Sequence, residues 1–198
     1  MSKVVDYYYT PASPWTYLGH QRFEAIARRH GAAIQYKPVD YGKIFPLSGG
    51  LPLGKRPPQR QAYRLVELKR WRDFLNVPLT IQPKYHPVAS DLAAQLIIAA
   101  ERAGAPAGPL SFALMRACWA EERNISDADT LAAVATEQSL DGKTLIATAR
   151  TPEIAMLYEA LTREAIDRQV FGAPFFIYEG EPFWGQDRLD FLDQALAR

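Results

Sequence analysis

Cysteine is almost missing: the 198 residues hold one, Cys118. A single thiol excludes an intramolecular disulfide, a paired-thiol redox centre and a cysteine-rich zinc site. Histidine is scarce too, and His20, His30 and His86 show no metal-ligand spacing. No apolar run approaches the ~20 residues of a membrane span. The N-terminus, MSKVVDYYYTPAS, lacks the apolar core of a secretory signal. An excess of either charge is absent as well: 23 Lys+Arg against 22 Asp+Glu gives a net +1. No global field therefore draws the chain to nucleic acid or to an anionic membrane. The expected location is the cytoplasm. What remains is 48% hydrophobic and 23% charged, ordinary globular composition in a chain long enough to bury its own core.

The apolar pattern changes period twice along the chain. Val4 to Tyr9 is β-branched and aromatic and suits a first strand. Ser13-Pro14 reads as a helix start, serine at the N-cap and proline at the first helical position. Trp15, Leu18, Phe23, Ile26 and Ala27 follow at helical spacing, and Gly31 closes the helix. Ala33 to Val39 alternates as a second strand, and the intervening helix favours parallel pairing. The proline- and glycine-rich stretch from Phe45 to Arg60 reads as a loop. From Gln61 to Gln169 the pattern is helical throughout, with Ser126-x-x-Asp129 resembling a capping box. Phe175 to Tyr178 reads as a strand, Glu179-Gly180-Glu181 as a tight turn, Pro182 to Trp184 as a partner strand, and Asp187 to Ala197 as a last helix. A β-α-β half and a β-β-α half, split by helices, are the pieces of a thioredoxin-like α/β sheet. The expected fold has a large all-helical domain, residues 46–169, inserted into a thioredoxin-like domain of residues 1–45 plus 170–198.

The segments SPWTYLG, SGGLPLGKRPPQRQAYRLVELKRW, VFGAPFF and FWGQDRL, in that order, resemble the 2-hydroxychromene-2-carboxylate isomerase family. That family lies in the DsbA-like branch of thioredoxin folds, beside kappa-class glutathione transferases, and the resemblance covers essentially the whole chain. It implies glutathione as cofactor, an aromatic carboxylate as substrate, a homodimer, and no metal. The implied reaction interconverts 2-hydroxychromene-2-carboxylate and trans-o-hydroxybenzylidenepyruvate in naphthalene-type degradation. A thiolate adds to the conjugated carbon, the ring opens, the former double bond rotates, and elimination leaves the trans alkene. Two other functions fit the same fold. One is a kappa-class-like glutathione transferase acting on another electrophile. The other is a non-catalytic thioredoxin-fold binding protein.

The resemblance also assigns roles. Ser13 and Thr16 stand where thioredoxin-type oxidoreductases carry their two thiols, which excludes disulfide exchange. Ser13 caps a helix in any case; as the catalytic residue it would also donate to the glutathione thiolate, aided by the helix dipole. Pro174, cis in such folds, would turn Ala173 to pair with the cysteinyl part of glutathione. Gln186 and Asp187 would hold its γ-glutamyl group, although Asp187 is equally an N-cap candidate. Lys55 to Arg72 holds seven basic residues and one acidic, a pattern that suits a solvated helix face, yet Lys55, Arg56 or Arg60 could meet an anionic ligand. Lys84 is a candidate partner for the substrate carboxylate, with Tyr85 beside it on the substrate side. Trp15 is either a pocket wall or core. Gly49-Gly50 occupies the place where the relatives often have an asparagine. Cys118, in an apolar helical pattern, reads as a small buried hydrophobe.

Overall fold

The computed structural model describes residues 2–198. Its four strands are β1 (Val4–Tyr9), β2 (Ala33–Pro38), β3 (Phe175–Tyr178) and β4 (Glu181–Trp184), and they lie in the order β2-β1-β3-β4. β1 and β2 run parallel, joined by the crossover helix α1 (Pro14–Arg29), as a parallel pair requires. β3 and β4 run antiparallel to their neighbours across the Glu179–Gly180 turn. Strand alternation sorts the tyrosines: Tyr7 and Tyr9 face one side, Tyr8 the other. Tyr7 stacks on Tyr9 at 4.5 Å and on Phe176 of β3 at 5.1 Å, while Tyr8 joins Val39, Ile44 and Phe175 in a second cluster.

The helical segment comprises α3 (Pro58–Leu75), α4 (Asp91–Arg102), α5 (Ala107–Trp119), α6 (Ala128–Glu137), α7 (Gly142–Ala149) and α8 (Pro152–Asp167). Its apolar core is continuous with that of the sheet: Leu96, Leu110, Leu114 and Trp119 belong to the same buried cluster as Tyr7, Phe23 and Phe176. The chain ends with α9 (Leu189–Leu196), whose Leu189, Leu192 and Leu196 are buried. No described helix is long and apolar enough to cross a membrane.

Three local expectations are corrected. The stretch read as loop from Phe45 begins inside a helix, α2 (Tyr41–Ser48), and also holds a 3-10 turn at Leu53–Lys55. Gly42 and Pro46 hide α2 from a pattern reading. Asp40 nucleates it by accepting Gly42 N–H at 2.7 Å, and Gly49, at φ 74°, ends it in the left-handed conformation. The cap of α6 is Asp127, which accepts Thr130 N–H at 2.8 Å; Ser126 instead donates to Asn124. Asp187 does not cap α9: it lies within a 3-10 turn, Gln186–Arg188, and pairs with Arg188 at 2.8 Å.

Candidate active site

The N-terminus of α1 opens at the foot of a cleft of about 450 Å³. Ser13 is the N-cap, its Oγ accepting Thr16 N–H at 3.2 Å and its own N–H donating to Thr10 O. The residue is nearly buried, and its hydroxyl proton has no acceptor among the described residues. A helix end, a free O–H donor and low exposure together favour an anion at that point. The Ala173–Pro174 peptide is cis, and Ala173 borders the same cleft as Ser13. Neither its N–H nor its C=O is hydrogen-bonded among the described residues, whereas Pro174 O accepts Gly185 N–H at 2.9 Å. Tyr41 fixes this corner from α2, donating to Gly172 O at 2.7 Å.

The cleft continues past Trp15, Ala173 and Trp184 into a second chamber that reaches Gly185, Gln186 and Asp187. Trp15 does both things expected of it: it walls the cleft and packs on the core. Gly185, at φ 95°, leaves room where a Cβ would stand 2.4 Å from the Asp187 carboxylate. The N–H groups of Gln186 and Asp187 open the 3-10 turn and have no backbone partner among the described residues. The Gln186 side chain is buried and held by Arg22 at 2.8 Å, so this residue offers a ligand its backbone, not its amide.

Three arginines line one wall: Arg56, Arg60 and Arg64. None has a carboxylate partner among the described residues. Burial lowers the Arg64 pKa to about 10, with the Arg56 charge adding to the effect. Burial and Arg60 lower that of Arg56. Cations brought this close together without counter-charge form a site for an anion. Arg64 also lies 5.8 Å from the centre of the buried Trp119 ring. His86 and the cis-linked Pro87 complete the wall. The His86 ring rests on Trp119 at 4.5 Å, and burial, then Arg64, lower its pKa to about 4.

Lys84 and Tyr85 do not border the cleft; the two residues that follow them do. His86 N–H bonds to Pro83 O and turns the loop inward only after Tyr85. Lys84 points its ammonium at the Tyr85 ring, 5.0 Å away, and its N–H donates to Glu122. Lys55, in the 3-10 turn, likewise stays off the wall that Arg56 joins. Arg64, His86, Tyr41 and Trp184 are absent from the sequence-based candidates. Arg64 follows Arg60 by four residues, a same-face spacing that could have been read. Trp184 lies in the FWGQDRL segment; nothing local marks His86 or Tyr41.

The DSBA-like thioredoxin domain is the family whose model matches this chain, over residues 4–197. The chain belongs to that family. The 2-hydroxychromene-2-carboxylate isomerase of Sphingobium xenophagum is 29% identical over 197 residues, 99% of each chain. A solved structure of a 2-hydroxychromene-2-carboxylate isomerase superposes with a TM-score of 0.81 at 26% identity, covering 98% of this chain and 95% of that one. Glutathione S-transferase kappa 1 of Caenorhabditis elegans is 29% identical over 82 residues, 41% of this chain and 36% of that one. This DSBA-like chain has no thiol at the helix end, where Ser13 and Thr16 stand. Its one thiol, Cys118, is buried and pushed up to about 12 by that burial, so it is no nucleophile.

Proposed function

We propose that this chain is a glutathione-dependent isomerase interconverting 2-hydroxychromene-2-carboxylate and trans-o-hydroxybenzylidenepyruvate. The observation that carries it is the free Ser13 hydroxyl at a helix end, in a cleft walled by unpaired arginines and devoid of thiols. Relatives of near full length that bear the isomerase name, and a shorter one named as a kappa glutathione transferase, support it.

The residues present suit an elongated, anionic tripeptide. Ala173 offers a free backbone N–H and C=O, the Gln186–Asp187 amides suit a carboxylate, and Asp187 suits an ammonium. When bound, glutathione would supply a thiolate that adds reversibly to the conjugated carbon and so lets the former double bond rotate. Ser13 stabilises that charge by donating a hydrogen bond from its hydroxyl, and the α1 dipole adds to it. Arg56, Arg60 and Arg64 take the carboxylate of the substrate and exclude a cationic one. Trp15, Phe45 and Trp184 provide apolar walls for an aromatic ring. A homodimer working in the cytoplasm belongs to the same proposal.

Incubating the protein with 2-hydroxychromene-2-carboxylate, with and without glutathione, tests it by ultraviolet absorbance and product analysis. Conversion to the trans enone that requires catalytic glutathione is expected. A stable glutathione adduct would make the protein a transferase; no spectral change with weak glutathione binding would make it a binding protein.

A further inference from the structure

We propose that His86 moves the proton that ring opening of the substrate requires. The inference rests on the isomerase function above and assigns a group to a step that glutathione does not perform.

Opening a cyclic hemiketal is a proton relocation. The hemiketal O–H gives up its proton and C2=O forms. The bond from C2 to the ring oxygen breaks with its electron pair on that oxygen, and the phenolate is protonated. One proton leaves and one returns, so a single side chain can take it and give it back, with no other reagent.

The Ser13 end of the cleft holds few groups able to do this. The arginine wall offers no base: guanidinium groups carry no acceptor, and even Arg64, lowered by burial, falls only to about 10. Tyr41 is buried, donates to Gly172 O and is held protonated by burial and by Tyr8. Thr10, Ser13 and Ser48 are alcohols. Farther along, Glu67 and Asp187 are tied to Arg70 at 2.6 Å and to Arg188 at 2.8 Å. His86 lines the same cavity as Ser13, and neither ring nitrogen has a hydrogen-bond partner among the described residues. The Trp119 ring packs against the His86 ring at 4.5 Å, tilted by 49°.

The charged groups around His86 make its strength depend on the ligand. Arg64 of α3 is the cation whose field reaches the ring; α5 presents the neutral Trp119. Arg56 and Arg60 add to the positive wall, Lys84 precedes it on the same loop, and Glu122 takes the Lys84 N–H. In the free protein the ring is neutral and a weak base. A substrate carboxylate on the arginines offsets the Arg64 contribution and so raises the basicity of the ring, while the larger contribution, burial, remains. The device is thus armed by the substrate's own charge.

The test compares wild type, His86→Gln and Ser13→Ala, with circular dichroism as the control for folding. His86→Gln should lower kcat about 100-fold with KM and glutathione affinity within about threefold. Imidazole should restore part of the rate in His86→Gly. By histidine-resolved NMR, wild-type His86 should titrate measurably higher when salicylate, an unreactive aromatic carboxylate, is saturating. A kcat in His86→Gln within threefold of wild type, a loss confined to KM, or an unmoved His86 titration would overturn the assignment while leaving the isomerase standing. A wild-type protein inactive with glutathione and the chromene would overturn both.

Discussion

At the scale of residues, small stereochemical facts shape the cleft. Gly50 is the clearest: a Cβ there would stand 2.3 Å from the Phe45 ring, which itself lines the cavity. Gly49-Gly50 therefore has a reason in this chain that is independent of any asparagine contact in relatives. Gly50→Ala should displace Phe45 and destabilise the fold by about 1–3 kcal/mol. Urea denaturation measures the loss, and glutathione titration should show weaker binding alongside it. Glu164 gives a second test. It accepts hydrogen bonds from Tyr8 Oη and Lys37 Nζ, both at 2.6 Å. Burial disfavours its ionised form, but these bonds and the Lys37 charge outweigh that and lower its pKa. A depressed carboxylate contributes stability above its unfolded value of ~4.3, lost as pH falls through the folded value. The melting temperature should therefore drop below about pH 4.3, and less steeply in Glu164→Gln.

At the scale of elements, most of the chain was legible where one face of a segment is apolar and its ends are marked. β1, α1 and β2 follow from alternation, from Ser13-Pro14 and from Gly31; their parallel pairing follows from the crossover. Ser13 and Cys118 were legible too, one by its cap position and the other by its apolar neighbours. α2 was not, because Gly42 and Pro46 are breakers in isolation; Asp40 and the tertiary contacts of Tyr41 and Ile44 outweigh them. The aim of the 84–87 loop was not, because it is set by one backbone bond and by Trp119, which is distant in sequence. Since α2 carries Tyr41, Phe45 and Ser48 to the cleft, its cap should matter to function. Asp40→Ala should cost about 1 kcal/mol. It should also weaken ligand binding, whereas Asp127→Ala, which uncaps α6, should cost a similar amount with affinity unchanged. Chemical denaturation and calorimetry on both variants check the contrast.

At the scale of the whole molecule, the sheet and the helical segment share one buried core, so the cleft between them is a seam within a single packed body. Unfolding should be one cooperative transition by far- and near-ultraviolet circular dichroism. Leu110→Ala, at a fully buried position of α5, should cost about 2–5 kcal/mol and lower both signals together. That shared core is what holds the α1 terminus, the Ala173 corner and the arginine wall around one volume. Under the proposed function, this volume stabilises a borrowed thiolate through Ser13. The direct measurement is the thiol pKa of bound glutathione, followed by thiolate absorbance on wild type and Ser13→Ala, with calorimetry to establish saturation. The expected result is a bound pKa well below that of free glutathione in the wild type, with much of the shift lost in Ser13→Ala. An unshifted thiol in both, or no glutathione binding at millimolar concentration, would contradict it.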